Sequence, residues 1–474
     1  MKTMRISPGD DVEVMLEGEK AGHKLALRNI KAGGQVVKYG HPIGVATRDI
    51  AVGEWIHTHN LRSALGGPLE YEYAPRLVEA KRLAPEYFMG YPRRGGRAGI
   101  RNEIWIIPTV GCVAAAAKAV ERRFAALSHE NIDGVYAFPH PYGCSQLGGD
   151  AERTLDALVG LIRHPNAGGV LVMGLGCENT QLGRVKERLG DWDERRVKFM
   201  LCQKERDEVE SACALVEQLI EYAAETSRER VAASELVIGL KCGGSDGFSG
   251  ITANPLLGLF SDRLIGMGGS ALLSEVPEMF GAETALMARC RTRELFEKTV
   301  AMINRTKRDF MEHGCEVCEN PSPGNRAGGI TTLEEKSLGC ILKGGSSPVE
   351  GVLRYGEQAT AAGLNLLESP GNDLISSNAE VIAGAQLVLF TTGRGTPLGT
   401  PAPVVKVATN PALAHSKPGW IDFDAGRLLE GETPDALCGE LFNYVLDVAS
   451  GKLVTRSERN FARDFCIYKT GVTL

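Results

Sequence analysis

The sequence lacks any run approaching the about 18 apolar residues that a membrane-spanning helix needs, and its opening, MKTMRISPGDDVEV, has no apolar stretch of a secretory leader. It has no GxGxxG after the first strand-like run and no GxxxxGK[ST], which argues against nucleotide binding. It has no surplus of basic charge: 53 Lys and Arg face 59 Asp and Glu, for a net charge of −6. That gives no electrostatic footprint for nucleic acid. No paired CxxC…CxxC is present, so a tight zinc knuckle is not indicated. Twelve cysteines without a leader read as reduced thiols of a cytoplasmic protein. The expected partner is a small molecule, with neither membrane nor nucleic acid involved.

What is present is glycine, 57 residues clustered in loops, within a chain of 474 residues that is 43% hydrophobic and 24% charged. That length predicts two to four domains. Residues 1–75 read as a small all-β module, with short runs such as DDVEVMLE, GHKLALRNI and GGQVVKYG separated by Gly turns. His57 and His59 are two apart, so on a strand they share a face; with His23 they suit a metal or a substrate carboxylate. Residues 76–100 read as a linker that ends in the basic cluster Arg93, Arg94, Arg97 and Arg101, either a solvated stretch or a clamp over an anion. Residues 101–230 alternate strand and helix, AAAAKAVERRFAAL and DAERTLDALVGLIRH being the helices. Residues 231–474 repeat the pattern, and FCIYKTGVTL reads as a last strand. The fold class is α/β: a β module followed by two doubly wound α/β domains.

Three apolar runs in the middle segment end in a Gly-Cys loop, at Cys112, Cys144 and Cys177. The spacings of 32 and 33 residues equal one strand–loop–helix–return unit. Loops at the carboxyl ends of parallel strands face one crevice, and a fourth run, ELVIGLKC, ends at Cys242. Three chemistries remain open: a metal or iron–sulfur site with thiolate ligands, a Cys nucleophile activated by His140, and thiols that only fill tight turns. Cys213 sits inside a helix as a core residue, and the lone CxxC at Cys315 and Cys318 carries no expected role. GRGTP at 393–397 resembles an anion loop, with Arg394 to fork a carboxylate and Thr396 beside it. Ser245, Asp246 and Ser249 suit a hydroxyl-rich ligand, and the loop holding Asn320 and Asn325 reads as ligand-facing.

Together GHKLAL, KYGHPIG, RNEIWIIPTVGC, PYGCSQLG, RHPNAG, GLGCEN, CGGSDGFSGITANP, SEVPEMFGAE, ENPSPGN, AGGITTLEEKSLG and TTGRGTP resemble the altronate/galactarate dehydratase family of sugar-acid hydro-lyases along essentially the whole chain. IHTHN at 56–60, WIDFDAG at 420–426 and the final KTGVTL look like its D-altronate branch, with galactarate as the alternative. The resemblance implies that the β module is SAF-like (β-clip). It implies loss of water from an aldonic or aldaric acid, and stimulation by Fe²⁺ or Mn²⁺, an iron–sulfur cluster being the alternative. It places His23, His57, His59, Cys112, Cys144 and Cys177 around the metal. It makes His140, Tyr142, Glu178 and Glu275 candidates for acid and base, and gives Arg394 the substrate carboxylate. A Cys-nucleophile hydrolase is the alternative from another class, and a homo-oligomer is compatible.

Overall fold

Short Gly-punctuated runs can bury a face only by pairing, and the N-terminal module does so in two small antiparallel sheets. Thr3–Met4, Val12–Met15, Lys24–Ala26 and Trp55–Ile56 form one; Gln35–Lys38, His41–Ala46 and Leu61–Arg62 form the other. Their inward residues Val12, Val36, Ile43 and Ile56 belong to the same apolar cluster as Leu333 and Leu338 of the C-terminal domain. The module is therefore docked rather than self-contained. A computed structural model carries this description for residues 2–471. Its strand ends at Ile56, so His57 and His59 lie in the following turn and not on one strand face: His57 is buried and His59 is exposed. The Asn60 N–H closes that turn on the His57 carbonyl (3.0 Å).

The expected linker is ordered. Residues 63–86 hold no helix or strand, yet Tyr71 donates to Glu283 (2.7 Å) and Tyr73 to the Cys290 carbonyl (3.3 Å), strapping the segment to the C-terminal domain. Tyr87–Gly90 then pairs antiparallel with Glu229–Ala232. Arg101 is buried against Glu458 (2.8 Å) instead of reaching toward a ligand. Backbone groups in such a strap need partners, and a purely solvated reading overlooks that these groups find them across the chain.

The middle domain is a four-stranded parallel sheet in the order Gly134–Ala137, Glu103–Pro108, Ala167–Gly174, Val197–Leu201. The C-terminal domain is a seven-stranded parallel sheet: Val349–Leu353, Gly363–Leu367, Ser270–Leu273, Val237–Cys242, Leu387–Thr392, Val404–Ala408, Phe423–Asp424. Every position of EIWIIP, VIGLKC and LVLFTT is buried, as expected when helices cover both faces of a parallel sheet. The strand order reverses between Val237–Cys242 and Leu387–Thr392, and in the smaller sheet between Glu103–Pro108 and Ala167–Gly174. Crevices open at the carboxyl ends there.

One apolar cluster joins Trp105, Phe138 and Leu158 of the middle domain to Val381, Phe390 and Val404 of the next. Among the described residues of the expected C-terminal strand no strand forms: residues 462–470 run as irregular chain along the middle domain, where the Thr470 N–H donates to Asp150 (3.0 Å). The last three residues of KTGVTL lie outside the described residues. No described helix is long and apolar enough to cross a membrane.

Candidate active site

The loop 243–250 leaves the central strand of the larger sheet at the reversal point, and close packing forces its glycines. A Cβ at Gly243 would meet an Asp373 carboxylate oxygen at 2.4 Å, and one at Gly247 would overlap the Gly22 carbonyl of the β module. Asp246 organises this loop. Its buried carboxylate accepts the N–H groups of Phe248 (3.1 Å) and Ser249 (3.0 Å) and the hydroxyls of Ser249 (3.1 Å) and Thr409 (3.0 Å). Asp246 and Ser249 are thus spent on the fold. Asn325 closes a capping box with Ser322 and donates to the Ser245 carbonyl (2.9 Å), tying the two loops together. The Ser245 hydroxyl is buried without a partner.

Between these loops lies a cleft of about 1070 Å³ lined by Glu278, Asn320, Arg326, Lys336, Asp373 and Arg394. Arg394 is exposed and donates only to the Gly324 carbonyl (3.3 Å). Thr396, whose hydroxyl accepts the Leu398 N–H (3.3 Å), does not line the cleft. Under its floor sits a dense charge cluster. Lys336 pairs with Glu278 (2.8 Å) and donates to Asn320 (3.2 Å). Lys343 donates to the Cys242 sulfur (2.8 Å), which lies 3.1 Å from Glu278 and 3.3 Å from Cys340. Lys241 contacts Glu275 and pairs with Asp373 (2.9 Å).

Burial opposes ionisation of Glu278, but Lys336, Lys343 and Lys241 outweigh it and hold the carboxyl far below its ordinary range. Glu275, three residues earlier and in a left-handed backbone conformation (φ 68°), is pushed well above it by burial and by the charge of Glu278. Two neighbouring carboxyls held in opposite protonation states are the arrangement of a base and an acid. Among the described residues, Cys242, Glu278 and Cys340 alone bring three possible ligand atoms within 4.8 Å of one another. The lysine ammoniums already supply the positive charge there.

The Gly-Cys loops meet at the carboxyl edge of the smaller sheet. The Gly111 N–H donates to the Tyr142 carbonyl (2.9 Å), Thr180 N–H to the Gly143 carbonyl (3.0 Å), and Ser145 N–H to Asn179 (2.8 Å), so the three loops form one rim. Cys112, Cys144 and Cys177 are all exposed, whereas Cys242 is buried. The acid–base candidates of this domain brace the rim. His140 donates from Nε2 to the Pro108 carbonyl (2.8 Å) and accepts the Tyr142 N–H at Nδ1 (3.2 Å), leaving no nitrogen to activate Cys144. Glu178 accepts from Thr109 (2.7 Å) and from the N–H groups of Leu175 (3.1 Å) and Gly176 (2.6 Å). Tyr142 packs in the apolar cluster of Tyr355 and Ile467.

The histidines lie elsewhere, where the β module meets the loop 324–329. His57 donates from Nε2 to the Arg326 carbonyl (2.9 Å) and accepts from Thr58, while His23 accepts from the Trp55 indole (3.3 Å). The rings of His23 and His57 are 5.3 Å apart, and His59 packs on Trp55. No group of three ligand atoms within 4.8 Å includes any of these histidines or the rim cysteines among the described residues. The six do not form one mononuclear ligand set in this structure.

Burial lowers His140 and also His164, which donates to the Ala385 carbonyl (3.0 Å), to about 4. Both are neutral when folded, so below an ordinary value near 6.5 the unfolded chain binds the extra protons. Their stabilisation is complete above that value and is lost as pH falls toward 4, by about 2 kcal/mol each at pH 5. The urea midpoint is expected to fall between pH 6.5 and 5; a constant midpoint would contradict this burial argument.

Sequence reasoning missed Glu278, Lys336, Lys241 and Asp373. The available signal was charge inside buried elements: Lys241 within VIGLKC and Lys336 within LEEKSLGCI, every residue of which is buried.

Comparison with known proteins finds three matching segments in the chain. Family models match at residues 2–64 (altronate/galactarate dehydratase SAF domain), 90–224 (D-galactarate dehydratase/altronate hydrolase, second domain) and 233–473 (D-galactarate/altronate dehydratase, C-terminal). The chain is 54% identical over 459 residues to an altronate dehydratase of Bacillus subtilis, covering 96% of this chain and 92% of the relative. It is 50% identical to an altronate dehydratase of Escherichia coli, covering 98% and 94%. It is 34% identical to a galactarate dehydratase (L-threo-forming) of Escherichia coli, covering 94% and 88%. With its SAF module, cysteine rim and carboxylate cleft each inside a matched segment, the chain belongs to the altronate/galactarate dehydratase family of hydro-lyases.

Proposed function

We propose that this protein dehydrates D-altronate to 2-dehydro-3-deoxy-D-gluconate and water. The observation that carries the chemistry is the pair of carboxyls, Glu278 ionised at the cleft and Glu275 protonated behind it. The C2 proton is poorly acidic beside a carboxylate, so the site must stabilise the charge that develops when it leaves. Arg394 and Lys336 receive the substrate carboxylate, and Glu278 takes the C2 proton as the C3–O bond breaks. The chain Glu275–Lys241–Asp373 opens on the cleft at Asp373, 41% exposed, a route by which a proton reaches the departing hydroxide. The enol product then tautomerises to the 2-oxo acid. Purified protein given D-altronate, galactarate and other aldonates is expected to form the 2-oxo acid fastest from D-altronate. Faster turnover of galactarate would overturn the assignment of substrate.

The cysteine rim is the place for the iron that this family implies. Three exposed thiols, with His140 and Glu178 nearby both turned to the backbone, favour iron–sulfur chemistry over Mn²⁺, which prefers oxygen donors. Held by Cys112, Cys144 and Cys177, such a group would supply a Lewis-acidic iron with an open position. Replacing each cysteine by Ser is expected to remove most of the iron, the acid-labile sulfide and the visible absorbance of anaerobically purified protein. Full iron in all three variants would sink this reading, while iron without sulfide would favour the mononuclear ion.

A further inference from the structure

The basic cluster of the sequence does not reach the catalytic edge. Arg93, Arg94 and Arg97 enter a second pocket, of about 860 Å³, with Arg163, Arg195 and Arg196. Its other walls are the starts of the strands Ala167–Gly174, Val197–Leu201 and Val237–Cys242. It therefore lies at the amino ends of both sheets, opposite the cleft and the cysteine rim.

The charge here is only partly compensated, six arginines facing three carboxylates. Arg195 alone among the six has a carboxylate partner, Glu225. Arg93 bonds the Pro165 and Arg101 carbonyls and the Asn102 side chain (2.8–3.1 Å). Arg196 bonds the carbonyls of Ile162, His164 and Ala167, Arg163 those of Arg188 and Leu189, and Arg97 bonds the Ser234 carbonyl and the Ser270 hydroxyl. Arg94, on the exposed rim, has no hydrogen bond or ion pair among the described residues. Against these charges the pocket sets Asp191, Asp193 and Glu225. Buried guanidiniums with only neutral partners are costly: burial and the neighbouring charge of Arg196 depress Arg93 to about 9, and burial depresses Arg196 to about 10. Arg97 Nε and one Arg93 Nη make no hydrogen bond among the described residues.

We propose that this pocket is a binding site for a small organic anion carrying more than one negative charge, a phosphate ester or a polycarboxylate, distinct from the substrate cleft. Guanidinium forks match both chemistries, and the volume exceeds what an inorganic ion needs. The site is also connected to the catalytic edge. The helix Asp373–Ile382 begins at Asp373 in the cleft, and the Ala383–Gly384 turn after it lines the pocket. The helix Gly149–Arg163 begins just beyond the Cys144 loop and ends at Arg163. The two helices touch, since a Cβ at Gly160 would collide with Ile382. Occupancy thus bears on two helices whose first turns stand at the two crevices.

The test is thermal shift and calorimetry of the intact protein with inorganic phosphate, 6-phosphogluconate and citrate, each against NaCl at equal ionic strength. At least one organic probe is expected to raise Tm with a saturable dependence. Arg97→Ala and Arg94→Ala are each expected to weaken that binding at least fivefold, with kcat for D-altronate in the absence of the probe unchanged. Arg94→Ala removes an exposed side chain that has no hydrogen bond or ion pair among the described residues and acts on Asp193 only at longer range, so it keeps the test valid if Arg97→Ala does not fold. Preference for 6-phosphogluconate identifies a phosphate ester and preference for citrate a polycarboxylate. No shift beyond the salt control with any probe, or equal shifts in both variants, overturns the proposal.

Discussion

Glu278→Gln is expected to lower kcat for D-altronate by about 10²–10⁴-fold, the usual contribution of a positioned general base, and to lower thermal stability as well, since Lys336, Lys343 and Lys241 lose a shared counter-charge. Gln keeps an acceptor oxygen toward Lys336 and turns an amide N–H toward the Cys242 sulfur, but it cannot take a proton. A variant with more than a tenth of wild-type kcat would remove Glu278 from the role of base. The pH profile separates chemistry from scaffolding. Because Lys336, Lys343 and Lys241 hold the carboxyl far below its ordinary range against the effect of burial, Glu278 stays ionised across the working range. The wild type should therefore show no acid limb from this group above pH 5. Lys336→Met removes the foremost of those charges, so Glu278 becomes easier to protonate. An acid limb should then rise toward neutral pH, and substrate binding should weaken with the loss of the cleft's ammonium. A variant that merely disturbed packing would lower activity at all pH values alike.

The parts of this molecule that were legible in the sequence are those whose signal is local. Apolar runs ending in Gly-Cys mark strands of a covered parallel sheet, and the four cysteines do sit at carboxyl strand ends. The same rule could not separate Cys242 from the other three. Cys242 is closed over by Glu278, by Cys340 of the helix Leu333–Ile341 and by Lys343, none of which is near it in sequence. His140 and Glu178 are polar residues beside reactive-looking thiols, and sequence supplies no way to tell a base from a brace. The distinction lies in where their second nitrogen or oxygen points, and here both point to backbone. The alternation argument for His57 and His59 failed because the strand stops at Ile56, three residues short of His59. Sugar-acid chemistry was legible through whole motifs, whereas Glu278 and Lys336 gain their meaning only from each other, 58 residues apart.

Glu335→Ala is expected to destabilise the protein by about 3–5 kcal/mol, the cost of stranding buried charges. Glu335 lies on the helix Leu333–Ile341, and its two oxygens receive Lys24 and Lys38 of the β module, each at 2.8 Å. All three side chains are essentially inaccessible. Burial opposes the carboxylate, but the two ammoniums outweigh it and hold Glu335 down at about 2. Its removal leaves two like charges facing each other in the seam that docks the module.

The cluster is also asymmetric. Burial, with the charge of Lys38 beside it, lowers Lys24 to about 8, whereas Lys38 keeps its charge because Glu335 outweighs its burial. One carboxylate cannot neutralise both ammoniums. Lys24→Met and Lys38→Met should therefore each cost less than Glu335→Ala, since either leaves a balanced pair. Urea unfolding at pH 7 gives the order, and proteolysis within residues 63–86 reports undocking of the module. The triple variant Lys24→Met, Lys38→Met, Glu335→Leu removes every charge and should recover most of the stability lost in Glu335→Ala. Failure to recover would mean that the seam depends on the hydrogen bonds from Lys24 to Gly329 (3.1 Å) and Thr331 (2.7 Å) rather than on charge balance. The two causes also differ in pH response. Unpaired ammoniums are relieved by deprotonation, so Glu335→Ala should regain stability between pH 8 and 10, and a seam that has lost only hydrogen bonds should not.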